Sequence, residues 1–331
     1  MTLLLVLAAP FLLLILGAAF TYLYAWTIER RFPPTGQFLD VEGCRLHYRE
    51  EGPQGNPSHG TIVILHGASS NLVESMLGMG AALSQRYRVI AIDRPGHGWS
   101  DRKPGLAEAE PARQAELIAG ALRQLNVRSA VIVGHSWSGT IVPHFALDHT
   151  DVAGAIVVLA GITTPWPGGT IGWYRRLIES WTSWLWFRTL AVPILLVLRP
   201  WMKKKTFWPQ RPPKGIVTKG FIPLAFRPRA YEVNMQDFAV MYDGVLRQSG
   251  RYKEIRLPTL VIAGDADEIV WTDLHSRCFA REVPGAELIL MPGIGHMPQY
   301  ADQQTVLCAI EALAERTAPA ALPKASLEAS R

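Results

Sequence analysis

The chain has 331 residues, 49% of them hydrophobic, and a formal net charge of +5. It is long enough to bury a sizeable core, in one large domain or two smaller ones. Its three cysteines, Cys44, Cys278 and Cys308, are far apart and odd in number. That excludes a disulfide framework and a C-x-x-C metal site, so we expect three small buried side chains.

The first 28 residues are predicted to be a transmembrane anchor. Residues 3–28 contain no charged side chain, and at about 1.5 Å per residue they exceed a hydrocarbon core of about 30 Å. Tyr22, Tyr24 and Trp26 lie near the end of this stretch, as in an interfacial aromatic belt, and charged residues 29–31 follow. A tilted spanning helix is therefore expected.

The alternative for this segment is a cleaved secretory signal. No Lys or Arg precedes the apolar run, the run is longer than a typical signal core, and no convincing A-x-A cleavage site follows. We therefore predict an uncleaved single-pass anchor in the lipid bilayer. Arg30 and Arg31 follow the helix, which by the positive-inside rule favours a cytoplasmic catalytic domain.

The rest of the chain alternates between strands and helices. A short linker covers residues 29–39, and residues 41–50 alternate around a glycine turn as an antiparallel hairpin does. Apolar runs typical of buried strands occupy Thr61–Leu65, Arg88–Ile92, 130–133, 155–159, 259–263 and 287–290. Helices are predicted at 71–85 and 107–124, from the turn near residue 136 to about 149, at 272–282 and at 302–315. This alternation predicts an α/β fold with a doubly wound, mostly parallel sheet.

The alternation is interrupted once, which divides the chain into segments. Residues 40–162 and 251–316 are predicted to be two parts of one core, with 163–250 inserted as a mainly helical lid and 317–331 as a disordered tail. The insertion carries 13 Lys and Arg against 4 Asp and Glu, and seven of the eleven tryptophans.

Two interpretations of that lid composition stay open. Its tryptophans could form a surface that faces the membrane together with the basic residues, or they could form the core of the lid itself. Arg188 and Pro193 argue against a second spanning helix. Nucleic acid is not expected as a partner, because bulky apolar residues accompany the basic ones without a binding motif.

Ser136 is the candidate nucleophile. The apolar run 130–133 ends at Gly134, and Ser138-Gly139 follow Ser136, so small residues flank the serine. This pattern is close to G-x-S-x-G, the tight strand-to-helix turn that exposes a serine above a sheet edge.

A serine nucleophile needs a base, and the base needs an acid to orient it. The acid should follow a late strand, where Asp265 and Asp267 are candidates. Asp267 is preferred because it lies further into the loop, whereas Asp265 directly follows a turn glycine and is expected to bond turn backbone. His296, on a Gly- and Pro-rich loop after the last strand, is the candidate base.

Acyl transfer also needs donors for the oxyanion of the intermediate. The backbone N–H of Trp137, just after the serine, is one candidate. The second is the N–H of Ala68, in the loop that follows strand 61–65.

In these segments the chain resembles the α/β-hydrolase superfamily, specifically its lid-bearing serine hydrolases. The resemblance rests on His66-Gly67, on Asp93 to Ser100, on the turn around Ser136, on Gly264 to Asp267 and on Gly295 to Pro298, in that order. It implies the roles of nucleophile, acid and base for Ser136, Asp267 and His296, and of oxyanion donors for Ala68 and Trp137. It implies neither a cofactor nor a metal.

The leading hypothesis is therefore a membrane-anchored serine hydrolase that cleaves carboxylic esters through an acyl-enzyme. The predicted anchor and the Trp-rich basic lid are the reason to expect hydrophobic, lipid-like substrates. Epoxide hydrolases and haloalkane dehalogenases of this fold attack with an aspartate, so a serine here argues against their chemistry. Two alternatives remain: the same three residues could hydrolyse a C–C bond or perform cofactor-free perhydrolysis, or the chain could be a non-catalytic binding protein.

Overall fold

An eight-stranded sheet organises the chain, of which the computed structural model describes residues 2–53, 60–169 and 172–317. The strands are β1 (Gln37–Val41), β2 (Cys44–Glu51), β3 (Thr61–Leu65), β4 (Arg88–Ile92), β5 (Ala130–His135), β6 (Ala153–Leu159), β7 (Thr259–Gly264) and β8 (Glu287–Met291). Their order is β1-β2-β4-β3-β5-β6-β7-β8. β1 and β2 pair antiparallel and the strands from β4 to β8 pair parallel, which confirms the predicted α/β sheet.

Thirteen α-helices accompany the sheet in the described part of the chain. They are α1 (Thr2–Arg31), α2 (Leu72–Ser75), α3 (Ala81–Leu83), α4 (Pro111–Gln124), α5 (Val142–Asp148), α6 (Gly172–Glu179), α7 (Trp181–Arg188), α8 (Ala191–Phe207), α9 (Ile216–Lys219), α10 (Pro228–Ser249), α11 (Ser276–Glu282), α12 (Pro298–Ala301) and α13 (Gln303–Thr317). Apart from Thr317, the predicted disordered tail lies outside the described residues.

Both faces of the sheet are covered, because its central strands are apolar throughout. On one face, Ile118 of α4, Phe145 of α5 and Phe279 of α11 are fully buried in one cluster. On the other, Leu72 of α2 and Ile310 of α13 belong to a second cluster with alternate residues of the same strands. Since β5, β7 and β8 are parallel, the loops that follow them meet at one edge of the sheet.

Several element boundaries differ from the sequence prediction, and three of the differences have a clear local cause. β1 begins at Gln37, inside the predicted linker, because it pairs with β2 over five residues. The predicted helix 71–85 contains a π-helical turn over Met76–Gly80, where two glycines lower the helix propensity. The predicted helix 272–282 begins only at Ser276, because the Thr272 hydroxyl donates to the carbonyl of Gly264 at the end of β7.

The insertion between β6 and β7 consists mainly of α6 to α10. α7 and α8, which cover the long apolar run of the insertion, are bent by 64° relative to each other. Six of the seven lid tryptophans are exposed: Trp173, Trp181, Trp184, Trp186, Trp201 and Trp208. Only Trp166 packs inward, against Tyr242. The interpretation of the tryptophans as a lid core is therefore wrong for all but one of them.

The cysteine prediction was correct in part. All three cysteines are free, but only Cys44 is buried, while Cys278 is partly exposed and Cys308 is exposed. Burial raises the pKa of the Cys44 thiol to about 11. The two others lie on α11 and α13, on faces turned away from the sheet.

The N-terminal helix α1 is long and apolar enough to cross a membrane over Ala8–Arg31. Its first described side chains, such as Phe11 and Ile15, are exposed. Its second half packs on the lid: the Thr21 hydroxyl donates to the carbonyl of Thr189 at 3.0 Å, and Ile28 is buried with Leu224. Helix α1 is thus also packed as a structural part of the folded domain.

Removal of residues 2–31 is expected to lower the unfolding midpoint of the detergent-solubilised protein by roughly 5 °C or more. Loss of Ile28 exposes Leu224, and burial of one such side chain contributes about 1.5–3 kcal/mol. Differential scanning fluorimetry measures the shift. Removal of residues 2–16 is the matched control, because no side chain from residue 8 to residue 16 is buried and Gly17 is the first buried residue after them. Equal unfolding midpoints for the two truncated proteins would show that the packing of residues 17–31 on the lid does not stabilise the fold.

Candidate active site

Ser136 lies on a strained turn directly after β5. Its φ is +55°, a left-handed conformation that costs a non-glycine residue free energy and is characteristic of functional turns. The neighbours must be small: a Cβ on Gly134 would lie 2.2 Å from Cγ2 of Val142, and one on Gly139 would lie 2.6 Å from Cα of Gly161. The turn therefore has the geometry that the G-x-S-x-G-like pattern predicts.

Ser138, which stands where the pattern usually has glycine, makes a contact that glycine could not. Its buried hydroxyl donates to the carbonyl of His66 at 2.5 Å. This bond ties the turn after β5 to the loop after β3. Serine in place of the usual glycine at position 138 is thus compatible with the turn, and it adds a hydrogen bond between the two loops that flank the site.

Ser136, His296 and Asp267 form one hydrogen-bonded series. His296 Nε2 lies 2.9 Å from Ser136 Oγ, and His296 Nδ1 lies 2.7 Å from Asp267 Oδ2. Because a carboxylate accepts, Nδ1 carries the proton and Nε2 is free to accept the serine proton. All three residues are buried. The structure thus brings the three predicted residues together in the required order.

Asp267 is held in place by the backbone. Its second oxygen, Oδ1, accepts from the N–H groups of Ile269 and Val270 at 2.7 and 2.9 Å. The competing candidate, Asp265, instead accepts from the N–H of Gly293 at 2.7 Å and so joins the two loops. Asp265 therefore supports the loop that carries His296 and does not touch the histidine ring.

The loop after β3 lies directly against the nucleophile. A Cβ on Gly67 would lie 2.9 Å from Cβ of Ser136, so glycine is required here. The next residue, Ala68, lines the same cavities as Ser136. Ser69 has a φ of +53°, and its N–H donates to Asn234 of lid helix α10 at 2.9 Å. Ala68 and Trp137 thus flank Ser136 from two loops, as predicted oxyanion donors must.

His135 was assigned no chemistry in the sequence, and its environment supports a structural role. Burial and the neighbouring His296 lower its pKa to about 3, so the ring is neutral near pH 7. Its Nε2–H donates to the carbonyl of His296 at 3.1 Å. His135 therefore fixes the backbone that carries the candidate base.

A buried ionic network behind the site was missed in the sequence. Asp237 of α10 accepts from Arg94 at 2.8 Å and from Arg102 at 2.5 Å, and its Oδ2 lies 2.8 Å from His97 Nε2. Burial alone would raise the pKa of Asp237, but Arg102 and Arg94 outweigh burial and lower it. The sequence does show a cluster of charged residues in segment 93–102. Nothing in the sequence of the lid, however, marks Asp237 as their partner.

Arg94 connects this network to the oxyanion region. Its Nε donates to the carbonyl of His66 at 3.1 Å, and its guanidinium stacks on the Trp137 ring at 4.2 Å. The side chain thus contacts both segments that carry the predicted donors. Arg94 is a positioning residue behind the site, and Asp237 anchors the lid to it.

Two cavities meet at Ser136 and His296. The larger, about 600 Å³, is lined mostly by apolar side chains of the lid and of the loop after β7, among them Trp166, Phe238 and Trp271. The smaller, about 140 Å³, lies between Ser136, α2, α8 and the segment around Ile222. A substrate with two unequal parts on either side of its reacting carbon fits this arrangement. The described residues contain no group of three metal-ligating side chains.

The fold and this site define the class of protein. The sequence profile of the alpha/beta hydrolase family matches residues 62–308, so the chain belongs to that family. An uncharacterised protein of Mycobacterium tuberculosis is 26% identical over 302 residues, 90% of this chain and 86% of its own length.

Two solved structures are similar to the whole fold. A thermophilic esterase from Thermogutta terrifontis superposes with a TM-score of 0.68 at 20% identity, covering 85% of this chain and 99% of its own. A membrane phospholipase A, described as a bacterial virulence factor, superposes with a TM-score of 0.61 at 21% identity, covering 96% of each chain. At these identities the likeness shows the fold, and the chemistry must be argued from the residues.

Proposed function

We propose that this protein is a membrane-anchored serine hydrolase that cleaves hydrophobic, lipid-like carboxylic esters through an acyl-enzyme. The observation that carries the proposal is the series from Ser136 Oγ to His296 at 2.9 Å and on to Asp267 at 2.7 Å. Such a series activates a hydroxyl that is otherwise a weak nucleophile. A non-catalytic binding protein has no need of it.

The first half of the reaction follows from these contacts. His296 Nε2 takes the proton as Ser136 Oγ attacks the ester carbonyl, and the N–H groups of Ala68 and Trp137 stabilise the oxyanion. His296 then returns the proton to the leaving alcohol, which leaves the acyl group on Ser136. Asp267 stays ionised and stabilises the imidazolium.

The second half repeats the steps with water. His296 takes a proton from a water molecule, which attacks the acyl carbonyl, and returns it to Ser136 as the acid leaves. The backbone bonds of Asp267 keep the ring in one tautomer through both halves. No cofactor is needed for either half.

The apolar cavity favours a hydrophobic acyl group. The 600 Å³ cavity is lined by Leu195, Met202, Met241 and several aromatic side chains. Apolar linings of this kind stabilise hydrocarbon by about 0.8 kcal/mol per buried CH₂.

We also propose that the lid touches the bilayer beside the anchor. Thr21, which contacts Thr189 at the bend between α7 and α8, lies ten residues before Arg31, or about 15 Å along the helix. If Arg30 and Arg31 mark the membrane surface, that bend lies at the depth of the acyl chains. The exposed Trp181 and Val197 on either side of the bend suit this position. The charge rule favours a cytoplasmic catalytic domain.

The full chain in detergent is expected to hydrolyse p-nitrophenyl esters with kcat/KM rising from acetate to octanoate, by roughly fourfold per buried CH₂ until the cavity is filled. Release of p-nitrophenol measures the rate. A fall in kcat/KM with chain length would contradict the hydrophobic acyl site. The ester assignment would be overturned if the protein hydrolysed no ester but hydrolysed epoxides, cleaved the C–C bond of diketones, or formed peracids from carboxylic acids and hydrogen peroxide.

A further inference from the structure

The smaller cavity beside Ser136 has a carboxylic acid in its wall that the reaction does not use. Glu74 lies in the first turn of α2, 4% exposed, and lines this cavity together with Ser136 and His296. Most of the other lining side chains are apolar, such as Phe207, Ile216 and Phe226. Arg199 is only half-buried and Lys203 is exposed, so Glu74 is the deepest charged group.

Glu74 differs from the other buried acids that the structure describes. Asp93 accepts from two backbone N–H groups and from His47, Asp237 faces two arginines, and Asp267 has a histidine and two N–H groups. Glu74 Oε2 accepts from the Ser70 hydroxyl at 3.0 Å, and Tyr300 and Gln299 lie close enough to the carboxyl to oppose the effect of burial on its pKa. Its Oε1 is buried and has no hydrogen-bond partner.

Such a group destabilises the folded protein until a donor, from solvent or from a ligand in the cavity, completes its bonds. A buried acceptor without a partner costs about 1–3 kcal/mol, and an apolar side chain at this position would avoid the cost. Burial also raises the pKa of Glu74. A carboxyl group accepts a hydrogen bond whether or not it is ionised, so it can serve a neutral donor such as a hydroxyl.

The relative size of the two cavities indicates which part of a substrate meets Glu74. The larger apolar cavity accommodates the hydrocarbon of the acyl group, which leaves the smaller one for the alcohol. An alcohol that retains a free hydroxyl can donate to Oε1, whereas a simple alkyl alcohol leaves Oε1 unsatisfied.

We infer that Glu74 is a specificity-determining residue that selects esters whose alcohol part carries a free hydroxyl, as in a partial ester of glycerol. This inference rests on the proposed ester hydrolysis at Ser136 and names the substrate class of that site. Glu74 takes no part in proton transfer. It binds the leaving alcohol before and during attack.

Three esters of one acid test the inference on the full chain in detergent: 1-octanoylglycerol, its 2,3-di-O-methyl ether and propyl octanoate. The first can donate to Glu74, the second keeps the oxygens without the donors, and the third lacks both. The native protein is expected to show about 10-fold or higher kcat/KM for octanoylglycerol than for either of the others. Equal values for the three esters would overturn the inference without any variant.

Two variants locate the effect at Glu74. Glu74→Leu is expected to lose the preference while kcat/KM for propyl octanoate stays within about threefold, and Glu74→Gln, which keeps an acceptor oxygen, is expected to retain most of it. An equal loss on all three esters would indicate a structural role and overturn the inference. Hydrolysis of p-nitrophenyl butyrate by the native protein separates this failure from failure of the proposed ester chemistry.

Discussion

Replacement of Ser136 with alanine is expected to lower kcat/KM for p-nitrophenyl butyrate by about 10⁶-fold. The variant keeps the buried imidazole and the backbone donors, but no atom remains to form the acyl-enzyme. Without the nucleophile, His296 and Asp267 have nothing to activate, so the three residues should act as one unit and their losses should not add. Initial rates at several substrate concentrations measure the change.

The control for this variant is Ser249→Ala. Ser249 is the last residue of α10, and its hydroxyl bonds only to the carbonyl of Leu246 within the same helix. Its removal should leave kcat/KM within about twofold. An Ser136→Ala protein with the native unfolding midpoint and more than about 1% of native activity would show that another residue carries the chemistry.

Replacement of Asp237 with asparagine is expected to cost about 3–5 kcal/mol of folding stability and to lower the unfolding midpoint by roughly 10 °C. The side chain keeps its volume but loses its charge, and Arg94 and Arg102, both buried, are left without a counter-ion. Because Arg94 also supports the loop after β3, ester hydrolysis should fall together with stability. Thermal unfolding in the same detergent measures the first effect.

Asp243→Asn on the same helix is the matched control. Asp243 pairs with Arg175 at 3.5 Å, and both side chains are more than a third exposed, so the pair contributes about 1 kcal/mol or less. The two variants make the same chemical change at a buried and at an exposed position. Equal shifts of the midpoint would mean that the buried network does not hold the lid on the core.

The candidate site could be predicted because each of its parts lies in a local pattern. Ser136 follows an apolar run and is flanked by small residues, and Asp267 and His296 follow later runs in the expected chain order. Parallel strands bring the ends of such runs to one edge, so their loops meet without any knowledge of the side-chain contacts. The sequence could also rank Asp267 over Asp265, from loop position alone.

What could not be predicted depends on contacts between distant segments. Asp237 is 143 residues away from Arg94, and no periodicity in α10 marks it as a partner of that arginine. The packing of α1 on Thr189 spans 168 residues. Glu74 is buried by Tyr300 and by the segment around Gly220, both far from it in the sequence. Cys278 and Cys308 were assigned to the core on residue type alone, whereas their helix faces point outward.

The central claim is that Ser136 is an activated nucleophile, and covalent labelling tests it most directly. A fluorophosphonate reacts with a serine only where a base has activated the hydroxyl. After incubation of the full chain in detergent, peptide mass spectrometry is expected to find one adduct, on Ser136, and none in Ser136→Ala. The claim would be contradicted if the native protein showed a cooperative unfolding transition, and so was folded, but remained unlabelled. It would also be contradicted by an adduct that persists in Ser136→Ala.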